Sequence, residues 1–320
     1  MPGFLTHFLA AHSLKNKLPS KEQALITAHE RLFNLGAQGP DFFFYYFTGA
    51  FSKKTRGFGS VMHDSNFGPL IACMADYARE NEGMDATAVF AYTIGLIMHY
   101  CLDSTAHPYV YARTFSKSSS VNKNSADHRG FETRIDIQSL KHFQGKRPGD
   151  YNQRELIEAG SGELCYAANA LSRAILKMYG RDISPKAIRR AMGQMIIFTG
   201  LLQSKTGRRK RWMEVIEGLT VKEALISSMV HNEVVDDEED CLNLKKTPWQ
   251  AHWDGASLES YSFLELFEQA VEEGFRKANV MIGYVLGDTS REELLACLQN
   301  RSLTTGMDIE ADSALGKDVG

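Results

Sequence analysis

The sequence predicts an all-α protein. Apolar residues recur with helical spacing through most of its 320 residues, and no segment shows a convincing strand-like alternation of apolar and polar residues. In addition, His99, Asp103 and His107 recur every four residues, a spacing that keeps all three on one face of a helix. We therefore expect a single helical domain over residues 1–303, with residues 304–320 as a flexible tail.

Capping residues indicate where the first long helix and the central helix begin and end. Ser20 and Gln23 have the spacing of a capping box, which predicts a helix that begins at Ser20 and ends at Gly36. Asp85 is predicted to start the central helix that carries the three spaced polar residues. Pro108 follows them and predicts the end of that helix, because proline has no amide hydrogen to donate.

The segments after the central helix are assigned from composition and periodicity. Residues 116–125 are polar and aperiodic, which predicts a mobile loop. Amphipathic periodicity predicts three further helices, over residues 164–179, 185–202 and 263–286. A basic cluster at residues 207–212 and an acidic cluster at residues 234–240 are interpreted as solvated surface.

Composition and charge indicate which partners the protein can attract and in which compartment we expect it. The formal net charge is −3 and the pI is about 6.4, so the protein has no global positive field that would attract nucleic acid. The five cysteines are scattered, odd in number and without a Cys-x-x-Cys pair, which favours a reducing compartment. The N-terminal residues lack the pattern of a signal peptide, and no apolar run has the length of a transmembrane helix. We therefore expect a cytoplasmic protein without a transmembrane segment.

After the central helix, the sequence has a further pair of residues that could bind a metal ion. His128 and Glu132 are again four residues apart and would share a helix face. Imidazole and carboxylate groups at this spacing bind zinc with little loss of chain entropy, because the helix has already fixed their relative positions. The alternative is a buried hydrogen-bond network, since such groups inside an apolar segment need partners of some kind. We favour zinc because a cation satisfies them with less special arrangement.

Other histidines and one aspartate extend these residues into an ordered set. Between Thr6 and Asp136 the candidate residues, in chain order, are His7, Asp41, His63, His99, Asp103, His107, His128 and Glu132. This order, with its His-Tyr-x-x-Asp and His-x-x-x-Glu segments, resembles the bacterial zinc-dependent phospholipase C family. That family is related in fold to zinc nucleases that cut single-stranded nucleic acid. The resemblance implies an all-α multi-helix bundle that holds two or three zinc ions.

The resemblance also implies a ligand set for each ion. The implied ligands are His63, His99 and Asp103 for the first ion, His107, His128 and Glu132 for the second, and His7 with the bridging Asp103 for the third. In the family, the first residue of the mature chain completes the third site and is usually tryptophan. Here the sequence begins Met1-Pro2, so the number of ions stays open between two and three. The interval from Asp103 to His107 is also shorter than is typical of the family.

Asp41 matches the active-site aspartate of the family, which is thought to orient or deprotonate the attacking water. The three phenylalanines that follow it would provide a partly apolar wall that tunes the carboxylate. The alternative is that Gly39-Pro40-Asp41 is only a turn with an Asx-type hydrogen bond. Asp136, four residues beyond Glu132, is interpreted as a substitute ligand, as a partner of a ligand imidazole, or as an acid on the helix surface.

The function that the resemblance implies is hydrolysis of a phosphodiester. Clustered zinc ions suit this chemistry because they bind phosphate oxygens, acidify water and neutralise the leaving oxygen. The preferred substrate is a phospholipid, cleaved to diacylglycerol and a phosphorylated head group, with peripheral contact to a membrane. Three alternatives stay open: a zinc nuclease, a helical phosphohydrolase that uses the adjacent His63-Asp64 pair, and a metal-binding protein with little catalysis.

Some aromatic residues and histidines have no firm role at this stage. The aromatic run at residues 42–47 would line the lipid approach or belong to the core, and we expect at least half of it in the core. The histidines that we leave out of the site are His12, His29, His142, His231 and His252. His12 is the substitute if His7 does not bind metal.

Overall fold

The computed structural model describes residues 3–46, 52–115, 121–202, 240–253 and 256–309. The described α-helices, numbered in chain order, are α1 (Phe4–Lys17), α2 (Ser20–Ala28), α3 (Glu30–Gly36), α4 (Ser52–Asp64), α5 (Phe67–Glu80), α6 (Gly83–Thr114), α7 (Val121–Gln144), α8 (Gln153–Ile157), α9 (Ser161–Tyr179), α10 (Pro185–Leu202), α11 (Phe263–Leu286) and α12 (Arg291–Leu298). Short 3-10 helices cover Gly39–Tyr45 and Pro148–Asp150, and β1 (Trp249–Gln250) pairs antiparallel with β2 (Leu258–Glu259). The prediction of an all-α fold is confirmed.

The central helix α6 lies in the middle of the apolar core. Most residues of α6 are buried, and the helix packs against α3, α5 and α11. By length and apolar composition alone α6 could cross a membrane, so the expectation that no apolar run is long enough was wrong. However, 89% of its most apolar window is buried inside the protein, as in the core helix of a globular domain. Packing therefore accounts for its apolar character.

Two glycines bring α3 into direct backbone contact with α6. A Cβ atom on Gly36 would lie 2.3 Å from the carbonyl oxygen of Tyr92, and one on Gly95 would lie 2.3 Å from the carbonyl oxygen of Phe33. Only glycine permits this separation. The contact matters for function because it places the turn after α3 directly against His99.

Proline does not end the central helix. Pro108 lies inside α6, which continues to Thr114, so the predicted end was wrong. A proline within a helix removes one hydrogen bond, here the one to the Ser104 carbonyl, but the flanking turns keep their own bonds. The tight packing of α6 on its neighbours offsets that local loss.

A tertiary contact divides the first predicted long helix into α2 and α3. The break falls at His29, whose backbone leaves the helical region. Its imidazole is buried, with Nδ1 2.8 Å from Glu163 Oε1 and Nε2 3.1 Å from Thr87 Oγ1. Because these partners belong to α9 and α6, no signal near His29 in the sequence could have placed the break. Ser20 is the first residue of α2, and the N-cap is Pro19, which makes no capping hydrogen bond through its side chain.

The prediction of a loop over residues 116–125 was wrong for residues 121–125, which are helical because α7 begins at Val121. Residues 116–120 lie outside the described residues. The three helices predicted downstream are present as α9, α10 and α11. The basic cluster at residues 207–212, His231 and all but Asp240 of the acidic cluster lie outside the described residues.

Candidate metal centre

Five elements bring the predicted site residues together. His7 comes from α1, Asp41 from the first 3-10 helix and His63 from α4. The other residues come from the same face of α6 and from α7: His99, Asp103, His107, His128 and Glu132. In the part of the chain that the structure describes, their ligand atoms form three groups of three that could each hold a metal ion. The groups are His7 with His99 and Asp103, Asp41 with His63 and His99, and His107 with His128 and Glu132.

Asp103 lies at the centre of the cluster and is completely buried. Its Oδ1 is 3.2 Å from His7 Nε2, and its Oδ2 is 3.1 Å from His99 Nε2. The same Oδ2 lies 3.8 Å from His63 Nε2 and 3.9 Å from His107 Nδ1. A carboxylate that faces four imidazoles through both oxygens has the arrangement needed to bridge metal ions.

The remaining carboxylates each face histidines at similar distances. Asp41 Oδ1 is 3.3 Å from His63 Nε2. Glu132 Oε1 is 2.8 Å from His128 Nε2 and 3.8 Å from His107 Nε2. In the ligand sets that the resemblance implies, His99 binds a single ion. In the structure, His99 belongs to two groups, one with His7 and one with Asp41. The assignment of each residue to a particular ion stays a prediction.

Main-chain carbonyl groups orient three of the ligand imidazoles. The Nδ1 atoms of His63, His99 and His107 donate to the carbonyl oxygens of residues 59, 37 and 303, at 2.7, 3.2 and 2.5 Å. Because a carbonyl oxygen only accepts, each of these Nδ1 atoms carries the proton. In the neutral imidazole, each Nε2 is then left with a lone pair, directed toward the cluster. Such outer hydrogen bonds fix the ring orientation and tautomer of a metal-binding histidine.

Buried polar atoms without partners test whether a cation fits here. Among the described residues, the buried site atoms that lack a hydrogen-bond partner are Nδ1 and Nε2 of His7, Oδ1 of Asp41, Nε2 of His99, both carboxylate oxygens of Asp103 and Nε2 of His107. Each buried polar atom of this kind costs about 1–3 kcal/mol. This concentration of orphaned nitrogen and oxygen atoms fits divalent zinc and argues against a self-sufficient hydrogen-bond network.

The ionisation states also suit metal binding. Burial alone would raise the pKa of Asp103, yet the facing imidazoles, His99 foremost, hold that pKa well below its usual range. Burial likewise opposes ionisation of Glu132, but the charge of His128 lowers its pKa well below the ordinary value. Burial lowers the pKa of His99 and brings the pKa of His107 to about 4. At neutral pH these carboxylates are ionised and these two imidazoles are neutral, which are the forms that bind zinc.

The position of Asp41 depends on the glycine two residues before it. Gly39 has a φ of +55°, and a Cβ atom there would lie 2.1 Å from Cδ2 of His99. Glycine tolerates both the left-handed backbone and the close approach. The 3-10 turn can therefore lie flat on the imidazole of His99 and direct the Asp41 carboxylate toward His63.

Asp136 is neither a surface acid nor a member of the three metal groups. It is completely buried and caps the start of α1. Its carboxylate accepts hydrogen bonds from the amides of Leu5 and Thr6, at 3.0 and 2.8 Å, and from Oγ1 of Thr6 at 2.6 Å. Because His7 is the next residue along α1, this cap holds His7 in place from α7. The interpretation as a surface acid was wrong, and sequence spacing offered no sign of a partner about 130 residues away.

Replacing Asp136 by asparagine is expected to loosen α1 and the ligand on it. Asparagine has one acceptor oxygen in place of two, so the three donors at the helix start can no longer all be satisfied. We expect a loss of about 1–3 kcal/mol in the free energy of unfolding and weaker binding of the metal ion at His7. Chemical denaturation and zinc titration measure the two effects. The exposed Asp288→Asn variant is the control, and equal results for both variants would contradict the role of Asp136.

The residues that were left without a role fall outside the cluster where they are described. His12 Nε2 lies 3.2 Å from Asn34 Oδ1, and His252 stacks on Phe115. Within the aromatic run, the residues buried in the core are Phe42, Phe43 and Tyr46. Phe44 lies beside His63, with ring centroids 5.5 Å apart.

Sequence reasoning missed Tyr111 as a neighbour of the site. The centroid of its ring lies 4.7 Å from that of His128, and burial raises its pKa to about 12. The only feature of the sequence that pointed to Tyr111 was its position one helical turn after His107.

An all-α fold that gathers imidazoles and carboxylates at one buried centre defines a helical metal-binding protein with zinc-type ligands. A family model described as zinc dependent phospholipase C matches residues 6–182, more than half of the chain, and this region contains all eight predicted site residues. The chain belongs to the zinc-dependent phospholipase C family. No curated protein and no solved structure matches it. The resemblance inferred from the ordered residues is therefore confirmed, and so is zinc as the metal of the family.

Proposed function

We propose that the protein is a zinc-dependent hydrolase that cleaves a phospholipid on the glycerol side of the phosphate, releasing diacylglycerol and a phosphorylated head group. The observation that carries this proposal is one buried cluster of candidate ligands from five elements, in which four imidazoles face Asp103, in a chain of the zinc-dependent phospholipase C family. The three groups of ligand atoms support two or three zinc ions. A family that acts on phospholipid supports a lipid substrate and peripheral contact with a membrane.

The chain would hold zinc through its buried histidines and carboxylates. When bound there, zinc supplies positive charge for the phosphate oxygens, lowers the pKa of a water molecule and neutralises the leaving oxygen. Asp103 balances this charge from the centre of the cluster. His63, His99 and His107 present their Nε2 lone pairs because main-chain carbonyls hold their Nδ1 protons.

Asp41 is the residue that we assign to proton transfer. Its side chain is only 7% exposed, and its Oδ1 atom lies at the edge of the cluster beside His63. In this role Asp41 orients the attacking water and accepts its proton, as a general base. The low exposure of the carboxylate keeps bulk water from competing for that proton.

The substrate is expected to approach from the side of His128. The His128 side chain is 15% exposed, more than the other histidines of the three metal groups. Tyr111 lies beside His128, and because burial raises its pKa further above the ordinary value, the phenol is protonated at neutral pH. A protonated phenol can donate a hydrogen bond to a phosphate oxygen.

A direct comparison of two substrates tests the proposed reaction. Zinc-loaded protein is incubated with phosphatidylcholine vesicles or with single-stranded DNA, and the products are separated. We expect diacylglycerol and phosphocholine from the lipid, with little cleavage of DNA because the protein is acidic. Cleavage of DNA without release of diacylglycerol would contradict the proposal.

Removal of zinc with EDTA is expected to abolish turnover and to lower stability. Without the cation, Asp103 and the orphaned imidazoles are left buried and unsatisfied. A ligand present at about 1,000 times its Kd contributes about 4 kcal/mol to the free energy of unfolding. The melting temperature should therefore fall with EDTA and recover with added Zn²⁺ but not with Mg²⁺. An unchanged melting temperature after verified zinc removal would count against the metal centre.

A further inference from the structure

One residue near the C-terminus joins two of the helices that carry candidate metal ligands. The Leu303 amide donates to the carbonyl oxygen of His63 at 2.7 Å, and the Leu303 carbonyl accepts from Nδ1 of His107 at 2.5 Å. The Leu303 side chain is completely buried. A single main-chain unit therefore bridges α4 and α6 and sets the tautomer of His107.

Leu303 belongs to a segment with its own internal hydrogen bonds, residues 300–309, which we call the C-terminal strap. The strap turns on Ser302, whose Oγ accepts from the amides of Thr304 and Thr305, both at 3.1 Å. The Ser302 carbonyl accepts from the amide of Gly306 at 2.9 Å. Farther out, the amide of residue 309 donates to the carbonyl of residue 300 at 2.8 Å. These bonds give the strap a defined shape.

The strap docks on α6 at positions that alternate with the metal ligands. The amide of Arg301 donates to the phenolic oxygen of Tyr100 at 2.8 Å. Gly306 lies against the carbonyl of Ser104, because a Cβ atom there would be 2.3 Å from that oxygen and 3.6 Å from Cγ of Pro108. Pro108 has no amide hydrogen, so it leaves the Ser104 carbonyl without its helical donor. The internal proline thus opens a place on α6 where the glycine can pack.

Besides His107 itself, the strap contacts three α6 residues that each come immediately after a candidate ligand in the sequence. Tyr100 follows His99, Ser104 follows Asp103, and Pro108 follows His107. A displacement of the strap would therefore shift the part of α6 that carries His99, Asp103 and His107. The strap lies far beyond residue 182, where the family match ends.

We infer that the C-terminal strap is a positioning element of the metal centre, which holds His107 through the Leu303 carbonyl and ties α4 to α6. This inference deepens the proposed function, and it rests on the zinc centre of that proposal but not on the lipid substrate. Loss of an outer hydrogen-bond partner typically weakens metal binding by about 10- to 100-fold. A strap that only closes the domain would change the stability of the protein and leave zinc affinity as it is.

A pair of glycine substitutions separates these two roles. Gly306→Ala forces a Cβ atom against the Ser104 carbonyl at a residue with a φ of +70°. Gly180→Ala is the matched control, because Gly180 has a similar φ of +60° and no heavy atom within 4 Å of the added Cβ. Both variants carry the cost of a left-handed alanine, but only Gly306→Ala displaces the strap.

Zinc affinity, measured by competition with a chelating dye, is the primary measurement. Gly306→Ala should raise the Kd of the ion held by His107, His128 and Glu132 by roughly 10- to 100-fold, and Gly180→Ala by less than about twofold. With Co²⁺ in place of zinc, the absorption spectrum of Gly306→Ala should differ from that of the wild type, because the orientation of His107 has changed. Circular dichroism verifies that both variants are folded.

A second variant decides the outcome if Gly306→Ala does not fold. Ser302→Ala removes the hydroxyl that accepts from Thr304 and Thr305 without adding volume, and it should weaken zinc binding in the same direction. Wild-type zinc affinity and an unchanged Co²⁺ spectrum in the folded strap variants would overturn the inference while leaving the proposed function intact. Failure of the wild-type protein to bind zinc would overturn both.

Discussion

Replacing Asp103 by asparagine is expected to remove at least one equivalent of bound zinc and to lower turnover by more than about 100-fold. Mutating a residue that only hydrogen-bonds to a metal ligand lowers activity by up to about 100-fold. We expect a larger loss here because Asp103 is itself the central candidate ligand. Its two oxygens face His7, His99, His63 and His107 at 3.1–3.9 Å. An amide at this position supplies no negative charge and can present only one oxygen.

The control for Asp103→Asn lies on the same helix. Asp85 is in the first turn of α6 and only partly buried, and its carboxylate accepts from the Tyr77 phenol at 3.5 Å. Asp85→Asn should keep the zinc content and turnover of the wild type. Zinc content by mass spectrometry and initial rates on phosphatidylcholine measure the two variants. Full zinc content in Asp103→Asn would show that the cluster does not bind metal through Asp103.

Replacing Asp41 by asparagine is expected to lower kcat by about 10²- to 10⁴-fold while leaving the zinc content unchanged. This range is the usual contribution of a general acid or base, and asparagine cannot accept a proton from water. The zinc content is decisive because Asp41 also belongs to one of the groups that could hold a metal ion, with His63 and His99. Loss of a zinc equivalent in Asp41→Asn would make Asp41 a ligand and contradict its assignment to proton transfer.

The chain provides a matched control for Asp41 in its second 3-10 helix. Asp150 ends that helix, is exposed, and accepts from the amide of Arg147 at 2.8 Å through its side chain. It has the turn-forming role that was the alternative interpretation of Asp41. Asp150→Asn should leave both zinc content and turnover unchanged. A similar loss of activity in both variants would mean that the effect of Asp41→Asn comes from its turn.

Helix boundaries show where sequence reasoning reaches its limit. Periodicity placed the helices now seen as α9, α10 and α11, because an amphipathic pattern is a local property of the chain. The break at His29 was missed because it depends on Glu163 and Thr87, which meet His29 only in the folded protein. The helix was expected to end at Pro108 for a sound local reason, but the packing of α6 overrides that local preference.

The sequence by itself determined the helical class, the family and the set of candidate zinc ligands. These follow from local spacing, since i, i+4 positions share a helix face wherever the helix lies, and from the order of the ligand types. Only the tertiary structure decided that His99 is shared between two groups, that Asp136 caps α1 and that Leu303 holds His107. The last two contacts join residues 130 and 196 positions apart. Their energies depend on which surfaces pack together, and no periodic pattern in the chain records that.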